Sequence, residues 1–101
     1  MKGWVIMTGF TEFTSINLKA VFIDVDLIRQ KITTDIKHEG KVIATLYFDL
    51  LENKIHKIGD FEEVRHLQEF GIDEQYIISR IEQQLPSIID NKISNPDELN
   101  I

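Results

Sequence analysis

The chain has no cysteine, which excludes disulfides and thiolate metal sites and fits a reducing compartment. Glycine is sparse: Gly3, Gly9, Gly40, Gly59 and Gly71 lie far apart, each with a turn or cap role open to it, and no clustered phosphate-binding loop exists. No G-x-S-x-G elbow surrounds Ser15, Ser79, Ser87 or Ser94, so the commonest nucleophile motifs are missing too. No apolar run approaches the roughly 20 residues of a membrane helix. The run at 20–23 stops at Asp24, and 4–7 is too short for the core of a signal peptide. Basic residues are outnumbered, 11 Lys and Arg against 17 Asp and Glu, and the net charge of −6 opposes generic binding to nucleic acid. A cytoplasmic protein with no membrane contact, no metal and no cofactor is the expectation.

What is present supports a globular domain. At 101 residues the chain is long enough for one core, and hydrophobic residues at 43% with charged residues at 28% are ordinary globular usage. The expected division is one α+β domain over 1–93 and a frayed tail over 94–101, with no internal repeat.

Residues 16–24 alternate, with Ile16, Leu18, Ala20 and Phe22 apolar, which predicts a strand. Two further strands follow at 28–37 and 41–49 as a hairpin folded about Glu39. Ile28 then faces Leu50, Ile32 faces Leu46, Thr34 faces Ala44 and Ile36 faces Val42, so the even positions form one largely apolar face. The turn at 38–40 reads as a three-residue loop with Gly40 left-handed, and the turn at 24–26 as another. A competing reading makes 26–39 a helix, with Asp26 as N-cap, Ile28, Ile32 and Ile36 on one side and Gly40 as the stop. The repeated Ile and Thr33-Thr34 favour the strand. A fourth strand is expected at 54–58 after a turn with Asn53 left-handed, and an edge strand at 4–7.

The pattern changes at Gly59. Asp60 has capping-box spacing to Glu63, and Phe61, Val64, Leu67 and Phe70 form one stripe, predicting a helix over 61–70 that ends at Gly71. Asp73 caps a second helix over 74–85 with Ile77, Ile81 and Leu85 in line. Pro86 interrupts it, and a third helix runs over 87–93. The layout is an antiparallel sheet of about four strands followed by two or three helices on one of its faces.

Three surfaces are candidates for function. His56, near Asp49, and His66, near Glu62 and Glu63, are the residues from which a general base oriented by a carboxylate would come. The odd-numbered sheet face carries Lys19, Arg29, Lys31, Lys37 and Lys41 as a basic patch among Val21, Ile23, Ile43 and Tyr47. Ile78 and Ile89 point away from the main stripe of their helices and add apolar surface for a partner. The favoured function is a non-enzymatic interaction or regulatory domain, self-associating as a homodimer or binding another protein. Two alternatives stand beside it. One is a small enzyme or ligand-binding domain with a His and carboxylate pocket between sheet and helices; the other is nucleic-acid contact through the basic patch with Tyr47 stacking.

Overall fold

The computed structural model describes residues 17–101. Isoleucine 16 and the edge strand expected at 4–7 lie outside the described residues. Four consecutive strands, β1 (Leu18–Asp26), β2 (Lys31–His38), β3 (Lys41–Asp49) and β4 (Lys54–Gly59), make an antiparallel meander. A short β5 (Leu99–Asn100) adds antiparallel to β1, giving the order β4-β3-β2-β1-β5. Between β4 and β5 come a 3-10 helix (Glu62–Phe70) and a C-terminal helix in two joined pieces, α1 (Glu74–Glu82) and α2 (Leu85–Asp90). The architecture is α+β.

Alternation decides which side chains are buried. Leu18 and Ala20 of β1, Ile32, Thr34 and Ile36 of β2, and Ala44, Leu46 and Phe48 of β3 form the buried face. Val64 and Leu67 of the 3-10 helix, and Ile77, Ile81, Leu85 and Ile88 of α1 and α2, complete one core with it. The helical alternative for 26–39 is excluded, because Lys31–His38 is a strand. Thr34 is fully buried, and its hydroxyl has no hydrogen-bond partner among the described residues.

The registers differ from the expected ones. In the β2–β3 hairpin Ile32 pairs with Phe48, Thr34 with Leu46 and Ile36 with Ala44. The loop is Glu39-Gly40 alone, both left-handed at φ 53° and 81°. Two positive φ values make a type I′ turn, whose twist matches the strands, so the tight turn wins over the three-residue loop. Ile43 is then the extra residue of a bulge, since the pairing jumps from Ile36–Ala44 to Lys37–Val42. Val42, expected on the apolar face, is consequently turned out and 45% exposed.

The β1–β2 hairpin is longer than expected. Asp24, Val25 and Asp26 stay in β1, which bulges at Ile23 and then pairs Val25 with Ile32 and Asp26 with Lys31. The turn is residues 27–30, and Ile28 sits on it at 92% exposure, where the expected register placed it in the core. Its reason is chemical. Asp26 Oδ1 accepts the Arg29 amide at 3.0 Å, and Gln30 is left-handed at φ 54°.

The β3–β4 turn repeats this device. Asp49 Oδ1 accepts the Glu52 amide at 3.1 Å, Asn53 is left-handed at φ 56° as expected, and Asp49 pairs with Lys54 as Asp26 pairs with Lys31. The two segments, Asp26-Leu27-Ile28-Arg29-Gln30-Lys31 and Asp49-Leu50-Leu51-Glu52-Asn53-Lys54, are one motif written twice, an internal repeat at the scale of a turn. The amide of Leu50 donates to the carbonyl of Gln30 at 3.0 Å, which joins the two turns directly.

The helical half also departs from expectation in detail. The stripe Phe61, Val64, Leu67, Phe70 recurs every third residue, the 3-10 period, and the segment is a 3-10 helix with a non-helical Val64 instead of an α-helix. Asp60 accepts from the Glu62 amide, not from Glu63, and Phe70 is 62% exposed. Gly71 ends the segment left-handed at φ 80°. Asp73 caps α1 by accepting from the Tyr76 amide at 2.8 Å. Pro86 falls in the first turn of α2, so the break lies before Leu85, and α2 stops at Asp90. Where the tail was expected to fray, β5 pairs Leu99 with Ala20 and the Ile101 amide bonds Leu18 at 3.0 Å. Arg80 Nη2 donates to the Asn100 carbonyl at 2.7 Å, and Leu99 and Ile101 pack on the core.

Candidate functional site: the open face of the sheet

Helices occupy the side of the sheet bearing Ile32, Ile36 and Leu46, and among the described residues nothing covers the other side. Its side chains fall into rows that cross the strands, because paired residues in a sheet point the same way. Nearest the repeated turns runs Asp26, Lys31, Asp49, Lys54; next comes Asp24, Thr33, Tyr47, His56; then Val21, Asp35, Thr45, Ile58. The last row is Lys19, Lys37, Val42. A shallow groove of about 700 Å³ lies over the first two rows, with Arg29 at its rim.

The bonds on this face are mostly between neighbouring strands. Thr45 Oγ1 donates to Asp35 Oδ1 at 2.7 Å, and Lys31 Nζ lies 3.8 Å from Asp49. Arg29 lies 3.9 Å from Asp26 and Lys19 lies 3.4 Å from Glu98 of the tail. The Tyr47 and His56 rings are neighbours, centroids 6.0 Å apart and tilted 40°. Of the five cations in the basic patch, Lys37 alone has no carboxylate partner among the described residues. Carboxylates are thus interspersed with most of these basic side chains.

Not every candidate lies here. Val21 and Tyr47 are on the open face, Ile23 is the exposed bulge residue of β1, and Ile43, displaced by its own bulge, is half-buried against the core. Val42 and Ile58 join the open face instead, at 45% and 55% exposure. Ile78 and Ile89 are half-buried against the core, so the wide apolar stripe of the C-terminal helix is largely used in folding.

The histidines redistribute in the same way. His56 lies against Tyr47, and His66 is exposed on the 3-10 helix; neither has a carboxylate partner among the described residues. His38 does. Its Nδ1 donates to Glu63 Oε2 at 2.6 Å, and Lys41 Nζ donates to Glu63 Oε1 at 2.9 Å. Those hydrogen bonds, from His38 first and then Lys41, hold the Glu63 carboxyl below the usual glutamate range, and Glu63 in turn raises Lys41 above the usual lysine range. The bulge of β3 causes this: it turns Lys41 to the helix side, beside His38. The group clamps the β2–β3 turn to the 3-10 helix.

Among the described residues no set of three His, Asp or Glu side chains converges as a metal site, and no helix is long and apolar enough to cross a membrane. A scan against protein-family models and searches of curated proteins and of solved structures give no match.

Proposed function

We propose that this protein is a non-enzymatic interaction domain that pairs with a second copy of itself through the open face of its sheet. The observation that carries the reading is the order of residues along the rows. A two-fold axis parallel to the strands, between β2 and β3, lays β1 over β4 and β2 over β3 of the second copy. Asp26 then meets Lys54, Lys31 meets Asp49, Asp24 meets His56, Val21 meets Ile58 and Asp35 meets Thr45. Thr33, the smaller partner, meets Tyr47 and leaves space in the groove for that ring.

Each of these rows is thus complementary to its own reversal, as an isologous interface requires. Packed sheets with aligned strands sit about 10 Å apart, which lets such side chains interdigitate. A two-fold axis along the rows would set Asp against Asp and Lys against Lys; like charges placed opposite are costly, so the alternation selects one geometry. Tyr47, 41% exposed at the middle of the face, is the aromatic anchor, and Val21, Val42 and Ile58 supply the apolar remainder.

The test uses two exposed residues that take no part in the turns. His56→Glu sets a carboxylate against Asp24 and weakens self-association by about tenfold, a change of about 1.4 kcal/mol. Asp24→Lys combined with His56→Glu restores a favourable pair and recovers most of the loss. Sedimentation equilibrium of the three proteins decides. If the double variant associates no better than the single one, Asp24 and His56 do not face each other and the pairing is wrong.

A further inference from the structure

Most positions of the repeated turns have a structural role. Asp26 and Asp49 cap, Gln30 and Asn53 supply the left-handed residue, Lys31 and Lys54 pair across the strands, and Leu50 packs against the core. The third position does not serve the fold. It is Ile28 in one turn and Leu51 in the other, 92% and 66% exposed. A polar residue would suit a turn tip better, yet both copies are apolar, and the Leu50–Gln30 backbone bond joins the two turns.

A pocket of about 360 Å³ opens beside these turns on the helix side of the sheet. Its wall is Gln30 and Leu50 from the turns and Leu85, Pro86 and Ile89 from the break between α1 and α2. Two carboxylates, Glu82 and Asp90, stand at its edge, and neither has an ion-pair partner among the described residues. An apolar floor with an unpaired acidic rim fits a ligand of the opposite rim charge. The net charge of −6 adds long-range attraction of the same sign.

We infer that this end of the molecule docks a basic, apolar segment of a partner protein. An apolar side chain of that segment seats among Leu50, Leu85 and Ile89, its neighbours lie over Ile28 and Leu51, and its Lys or Arg residues pair with Glu82 and Asp90. The inference is independent of the dimer, since its pocket opens on the helix side of the sheet.

Fluorescence anisotropy with a short labelled peptide of leucine and lysine, and its leucine and glutamate counterpart, tests the site on the full chain. The lysine peptide binds and the glutamate peptide does not. Glu82→Lys and Asp90→Lys each weaken binding about tenfold, Ile28→Ser with Leu51→Ser does the same, and Glu69→Lys, equal in charge change but outside the pocket, leaves it intact. All five positions are exposed, so circular dichroism is expected to show the fold unchanged. The His56→Glu protein binds the peptide as well as the parent, which separates this site from the dimer face.

Three results overturn the proposal. Equal weakening by Glu69→Lys means that diffuse charge did the work. Binding of phosphatidylcholine vesicles that Ile28→Ser with Leu51→Ser abolishes assigns the tips to a lipid surface. Loss of self-association in that same pair of substitutions assigns them to a second copy.

Discussion

Gly59 ends β4 at the point where it passes the bulge of β3. Its φ is 92°, and a Cβ there would lie 2.5 Å from the Ile43 carbonyl oxygen and 2.9 Å from the Ala44 Cα. Both obstacles are backbone, so a flexible side chain cannot move aside. Gly59→Ala is expected to destabilise by about 2 kcal/mol or more, combining the cost of a left-handed β-carbon with the clash. Gly40→Ala, with φ 81° but nothing within 4 Å, costs the conformational part alone, about 1 kcal/mol. Urea denaturation of the two variants reads the difference. Equal losses would show that the close approach to Ile43 is relieved without cost.

The same residues show what was legible in the sequence. Gly40 and Gly59 are visible as turn and boundary signals, but Glu39 at φ 53° is not, because its side chain gives no advance sign of a left-handed conformation. That residue decides between a two-residue and a three-residue loop, and with it the position of the Ile43 bulge. Ile43 accordingly left the open face, and Val42 took its place.

Among the elements, the clamp of Glu63 on His38 and Lys41 ties the far end of the β2–β3 hairpin to the 3-10 helix, a segment that buries only Val64 and Leu67. A carboxyl held below its ordinary range contributes stability above the ordinary glutamate value and loses it as pH falls through the lowered one. A raised lysine contributes below the ordinary lysine value and loses it as pH rises through the raised one. Between those limits Glu63 and Lys41 are both charged and paired. Glu63→Gln is expected to lower stability at neutral pH, and the difference from the parent narrows in acid, below the lowered Glu63 value. The whole effect is small, because these groups are in contact with solvent. Hydrogen exchange of the amides of the 3-10 helix, measured at neutral and acid pH in both proteins, reads it locally. A difference independent of pH would show that the substitution acts through packing.

Element faces were easier to read than element registers, for a physical reason. Side chains alternate with period two, so any slip by an even number of residues keeps Leu18, Ala20, Ile32, Ile36 and Leu46 on the core side while changing their partners. Both hairpins slipped in that way over these residues, and beyond the bulges at Ile23 and Ile43 the extra residue turns the strand over. The repeated Asp-Leu-x-x-Gln/Asn-Lys turn was present in the sequence as the signal that fixes the first register, and it is recognisable only once Asp is read as the cap of its own turn. Period three in Phe61, Val64 and Leu67 was the corresponding sign of a 3-10 helix.

At the scale of the molecule, one sheet face and the helices packed on it make the core, and the remaining face carries Asp26, Lys31, Asp49 and Lys54 in alternation. No single strand displays this alternation. It arises only when four strands are set side by side in the observed register, which is why composition and spacing pointed to a basic patch and the folded chain to a face of mixed charge. The C-terminal β5 adds a cap on the β1 edge, while β4 lies at the opposite edge of the sheet, exposed along its length. Lys54 and Lys57 punctuate that edge, a pattern that discourages edge-to-edge pairing.

Sedimentation velocity of the full chain over a wide concentration range, beside the Tyr47→Lys variant, tests this account most directly. Pairing through the open face predicts a concentration-dependent dimer of twice 11.8 kDa for the parent protein and a folded monomer for the variant, in which a charge replaces the ring at the centre of the rows. A parent that stays monomeric at every concentration, or a variant that dimerises equally well, would contradict it.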